Sequence, residues 1–189
     1  MSDTNIDKQD TQIDHKMNLF ILKDENNLPI ILDDKYTLEF IEKHLEYYPT
    51  NLFKLSNSYN VIVHDKFTPE FIEEHLKKYT TNLFELKDAV GPIILYEKFD
   101  DNFIRTHIKF VKKEPINKEI NIFEIVDRFG TPLIHRKGFT VELIEEQLLN
   151  YPVNLFKLKD TSGFPYIYHH KFSRKFIEKH KQFCEDNNI

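Results

Sequence analysis

One short block recurs five times in this chain of 189 residues. Asn-Leu-Phe stands at 18–20, 51–53, 82–84 and 154–156, and Asn-Ile-Phe at 121–123. The spacings are 33, 31, 39 and 33 residues, and the same course of events follows each block. Such periodicity marks a tandem-repeat protein, in which each unit is too small to bury its apolar face alone and must stack on a neighbour.

After each block comes a polar turn, then a second apolar stretch. Gly91, Gly130 and Gly163 end the turn in three repeats, and Asn27 and Asn60 in the other two. These are the residue types that tolerate a left-handed backbone. Asp24, Asp88, Asp127 and Asp160, with Asn57 in repeat two, open the turn and can bond forward to the backbone. Pro29, Pro92, Pro132 and Pro165 then precede aliphatic runs such as Ile93-Ile94-Leu95 and, in the second repeat, Val61-Ile62-Val63 follows Asn60. This pattern predicts a β-hairpin in each repeat, its second strand starting at the proline. The alternative is an α-solenoid, with Asn-Leu-Phe in a second short helix.

A helix follows each hairpin. Thr37, Thr68, Asp100, Thr140 and Ser173 occupy matching N-cap positions, and Pro69 falls at a first helical position. Glu39, Glu70 and Glu142 meet the helix dipole in the first turn. Phe40, Ile41, Leu45 and Tyr48 lie on one stripe, as do Phe71, Ile72, Leu76 and Tyr79, and Leu143, Ile144, Leu148 and Tyr151. The expected fold is α+β: five units of about 33 residues, each a β-hairpin plus a short helix, in an elongated or layered array. The expected core carries Phe20, Phe53, Phe84, Phe123 and Phe156 from the blocks. Phe40, Phe71, Phe103, Leu143 and Phe176 join it from the helices. Residues 1–17 read as a flexible tail, 18–108 as repeats one to three, 109–120 as a linker or helix extension, and 121–189 as repeats four and five.

The segments Tyr36-Thr37-Leu38-Glu39-Phe40-Ile41-Glu42-Lys43-His44-Leu45 and Phe67-Thr68-Pro69-Glu70-Phe71-Ile72-Glu73-Glu74-His75-Leu76 resemble the recurring Ser/Thr-x-Glu-Phe-Ile-x-x-His helix of uncharacterised repeat proteins from giant DNA viruses and some large phages. The resemblance implies no enzyme activity. It implies a viral protein acting in the host cytoplasm or packed in a virion.

His44, His75, His107 and His180 share one helical position, with Gln147 in the fourth repeat. Copies a repeat apart point to one structural task done repeatedly, a half-buried ring bonded to a backbone carbonyl, rather than to convergent metal ligands. His64, His135 and His169 end the second apolar stretch and are binding candidates, as are Lys109, Lys112 and Lys113 in the longer third repeat. Cys184 is the one cysteine, so no internal disulfide can form; His180 lies one turn before it. Four glycines leave no room for a phosphate loop, and no His-Glu-x-x-His string occurs. No cofactor, metal or catalytic residue is therefore assigned. A net charge of −5 disfavours a nucleic-acid surface, and no apolar run is long enough for a membrane. The expectation is a non-enzymatic, cytoplasmic repeat module binding another protein through an extended surface. A chain that self-assembles through its end repeats is the alternative, and a hydrolase or nuclease a remoter one.

Overall fold

The computed structural model describes residues 17–55 and 59–189, which fall in two compact bodies, 1–52 and 53–189. The expected tail, 1–17, lies outside the described residues except for Met17. The first body carries helix α1 (Leu38–Tyr47). The second carries α2 (Pro69–Lys78), α3 (Asp101–Val111), α4 (Val141–Asn150) and α5 (Arg174–Asp186). Each begins as the sequence dictates. Thr37, Thr68, Asp100, Thr140 and Ser173 accept the N–H of the third helical residue, at 2.8–3.2 Å. No helix of the described residues is long and apolar enough to cross a membrane.

The hairpins are not there. Among the described residues there is no strand, only isolated bridges, Lys23 with Pro29, Lys87 with Pro92, Val126 with Pro132 and Lys159 with Pro165. The fold is all-helical. The turn itself is as expected: Asn27, Gly91, Gly130 and Gly163 have φ of 63°, 139°, 77° and 81°. Asn60 departs, with φ of −71°; it stands where other repeats have proline and caps the next turn. Asn57 lies outside the described residues. Beyond the bridge, proline has no N–H to extend a ladder, but its carbonyl accepts from the third residue on, as in Leu32 to Pro29 and His135 to Pro132, both 3.0 Å. The aliphatic runs therefore close as 3-10 helices: Ile30–Leu32, Val61–Val63, Ile93–Leu95, Leu133–His135 and Tyr166–Tyr168. A three-residue apolar run cannot signal its own period, and here it serves to sink its middle residue, Ile31, Ile62, Ile94, Ile134 or Ile167, into the core. The binding module read from the sequence relied on a hairpin surface, and the described residues form none.

The Asn-Leu-Phe block is a turn as well. Asn18, Asn82, Asn121 and Asn154 each accept the N–H of the Phe two residues on through their side chains, at 2.9–3.2 Å. Two blocks complete 3-10 helices, Leu52–Lys54 and Ile122–Glu124. This is close to the short second helix of the solenoid alternative.

Consecutive helices of the second body are tied side by side. Arg105 of α3 pairs with Glu146 of α4, and Lys179 of α5 with Glu145 of α4 at 2.8 Å. A second tie is the lysine before α3 and the one before α5. Lys98 Nζ donates to the carbonyls of His64 (2.6 Å) and Phe67 (3.0 Å) in the preceding repeat. Lys171 Nζ donates to those of Ile134, Arg136 and Phe139, at 2.6, 2.7 and 2.9 Å. Repeat four has Gly138 at this position, and its backbone lies directly against Phe99 O.

Candidate functional site

The two most repeated motifs meet each other. The Nε2 of His44, His107 and His180 accepts the backbone N–H of Leu19, Leu83 and Leu155, at 2.9–3.0 Å. The block phenylalanine lies against the same ring, with Phe20–His44, Phe53–His75, Phe84–His107 and Phe156–His180 centroids 5.0–5.8 Å apart. The expected bond to a carbonyl is thus reversed: the imidazole accepts, and so is neutral with its proton on Nδ1. Burial drives His75 and His180 down to about 4 and His107 to about 3.

Each of these histidines also continues a ladder of rings along its helix. Phe99, Phe103, His107 and Phe110 follow one another at 4.4, 6.1 and 5.6 Å. Phe172, Phe176, His180 and Phe183 do so at 4.7, 6.0 and 5.8 Å. Helix α4 interrupts the scheme with Leu143 and Gln147, both buried. The remaining expected core residues, Phe123 and Phe71 among them, are buried, while Phe40 and Phe156 are half-buried.

Cys184 Sγ lies 3.4 Å from His180 Nε2. The thiol is buried and burial pushes its pKa up, while the ring is neutral and already bonded to Leu155. That environment holds a thiol, not a thiolate.

Of the binding candidates, the structure brings two together. His135 and His169 stack at 4.1 Å and 11°, and His170 lies 4.1 Å from His169. His135 donates through Nε2 to Tyr166 O at 3.1 Å, and burial lowers its pKa. Burial first, then His135, His170 and Lys171, drives His169 to about 4. His64 sits in repeat two, where its Nδ1 accepts the Lys66 N–H. His135 is also out of register with the others: His64 and His169 cap their 3-10 helices, and in repeat four that cap is Arg136. Among the described residues, no group of three or more His, Cys, Asp or Glu is arranged to hold a metal ion. The basic run is largely matched: Lys112 pairs with Glu119 at 2.9 Å and Lys118 with Glu85, leaving Lys109 and Lys113 exposed.

A concave feature with room for a ligand lies elsewhere among the described residues. A groove of about 330 Å³ runs between α4 and α5, lined by Leu148, Leu149, Phe176, His180 and Phe183, with Glu142, Glu145, Glu146 and Lys179 on its rim. Leu149 is 77% exposed. A smaller groove of about 90 Å³ occupies the same position between α2 and α3, with Lys77 where Leu149 stands and Phe110 where Phe183 stands. Sequence reasoning passed over the site, yet a signal exists. At this register the other helices carry Glu46, Lys77, Lys109 and Gln182, and only α4 carries an apolar residue. The Nδ1 of His180, at the groove's base, has no hydrogen-bond partner among the described residues.

No family model matches the chain, and no curated protein or solved structure matches it.

Proposed function

We propose that the protein acts by holding an apolar segment of a protein partner in the α4–α5 groove. The observation that carries this reading is Leu149, a large apolar side chain left in water beside Phe183 at the mouth of a 330 Å³ groove. Apolar surface gathered in a concavity and rimmed by charge is the mark of a docking site. The site is local to two helices and differs from the extended hairpin face that the fold excludes. A photo-crosslinking group at position 149 tests it in the native cellular setting. Labelling of one partner protein, lost on Phe183→Asp, is expected. Labelling no different from that by the same group at position 77 contradicts the proposal.

A second reading concerns copies of the chain, which would associate through their end repeats. Its support is the outer face of repeat five. Ile177 there is half-buried, whereas Ile72, Ile104 and Ile144 at the same position are fully buried; Phe156 is likewise half-buried, whereas Phe53, Phe84 and Phe123 are buried.

A further inference from the structure

The lysine ties between repeats define a socket. An ammonium has three N–H donors, and Lys171 spends all three on the carbonyls of Ile134, Arg136 and Phe139. Lys98 uses two of the same three positions in repeat two, His64 and Phe67. The socket is built by the 3-10 helix and the turn after it. Its cap residues have nearly one conformation: φ and ψ are −58° and 141° at His64, −70° and 152° at Arg136, and −62° and 140° at His169. The turn closes alike as well, with Phe67, Phe139 and Phe172 donating to those caps at 3.0–3.1 Å. Repeat five therefore carries a preformed socket, the carbonyls of Ile167, His169 and Phe172, on the face where Ile177 is only half-buried.

The chain also carries a lysine for it. Asp34-Lys35-Tyr36-Thr37 repeats the pattern of Glu97-Lys98-Phe99-Asp100 and His170-Lys171-Phe172-Ser173. The Lys35 side chain is 62% exposed; it pairs with its neighbour Asp33 at 3.3 Å and lies over the Tyr36 ring at 5.0 Å, both contacts within its own repeat.

Charge supplies an independent match. From α3 to α4 and from α4 to α5 the residue two before the His/Gln position of one helix pairs with the residue one before it on the next: Arg105 with Glu146, and Glu145 with Lys179. Applied beyond repeat five, the rule sets Glu178 against Lys43 of repeat one, a pair of opposite sign. Both are exposed, and among the described residues their ion pairs lie within their own helices, Glu178 with Arg174 and Lys43 with Glu39.

We infer that the outer face of repeat five docks repeat one of a second copy, with Lys35 in the carbonyl socket and Lys43 against Glu178. The inference rests on the end-repeat reading and gives it a register. The contact is heterologous, so copies join head to tail. Lys181 stands where Leu76, Ile108 and Leu148 are buried in the inner repeats, so this face is less apolar than an internal junction. The association is accordingly weak and salt-sensitive.

Sedimentation of the full chain over a range of concentrations, at low and high salt, tests this. The mean mass should rise with concentration, and Lys35→Met should weaken the rise. Glu178→Lys and Lys43→Glu should each weaken association about tenfold or more, because each sets like charges together. Mixing the two variants should restore it, since every contact between one variant and the other then joins opposite charges. Both sites are exposed, so the variants fold. A chain that stays monomeric throughout overturns the end-repeat reading and this inference together. Association that ignores both reversals, or losses that mixing does not repair, overturns the register alone.

Discussion

A histidine that accepts a backbone N–H has its protonation state chosen for it. His107 holds the N–H of Leu83 at 2.9 Å while its ring lies between Phe103 and Phe110. His107→Phe preserves the ring ladder and removes only the acceptor. It should cost about 1–3 kcal/mol, the penalty of a buried N–H left unpaired; denaturant midpoints equal to the parent's would show the bond to be idle. Two glycines offer a contrast at the same scale. Gly163 has φ of 81° and open space around it, so Gly163→Ala costs about 1–2 kcal/mol in backbone strain alone. Gly138 has no such φ, but a methyl there falls on Phe99 O, a backbone atom that cannot move aside. Gly138→Ala should be the more damaging of the two by thermal melting, and the reverse order would contradict the close approach of repeats three and four. The N-caps and most core phenylalanines were legible in the sequence because each depends on neighbours three or four residues away. The acceptor role of the histidines was not, since the Leu N–H it serves lies 24 or 25 residues away in the chain.

At the scale of elements, the helices are short and depend on what ties them to the next repeat. Lys171 is such a tie: burial pushes its pKa down to about 8, and its ammonium answers three carbonyls. Lys171→Met keeps the stem and deletes the donors. The expected loss is about 1–3 kcal/mol, larger than the ~1 kcal/mol of the N-cap variant Thr68→Ala. A loss below that of Thr68→Ala in chemical denaturation would remove the tie from the stabilising contacts. The strands were misread for a related reason. Val61-Ile62-Val63 and Ile93-Ile94-Leu95 have strand composition, but β propensity reports a fit to a pleated surface, and the described residues form no sheet to supply one. The left-handed turn residue was right in four repeats, Asn60 being the exception, and the arms beside it were wrong.

For the molecule as a whole, the buried histidines set the response to acid. His75, His107 and His180 titrate near 4, 3 and 4 when folded, below the ordinary value of 6.5. Below 6.5 the unfolded chain takes up protons that the folded chain refuses. Stability is therefore full above pH 6.5 and falls as pH drops toward 4, each unit of depression being worth about 1.4 kcal/mol per group. Urea midpoints should decline steadily across that window; a flat profile would mean that the rings are charged or exposed. The repeat period was plain from the sequence, and with it the number and spacing of the helices. The α4–α5 groove was harder to foresee, because Leu149 reads as one more apolar residue until the packed helices show it facing water. The junction between each Asn-Leu-Phe turn and its histidine underlies both the fold and the neutral charge of its core. Long-range ¹⁵N NMR of the imidazole rings across a pH titration reads that junction directly. The expected result is His107 and His180 neutral, with the proton on Nδ1 and no titration above pH 5. Midpoints near 6.5, or the proton on Nε2, would contradict it.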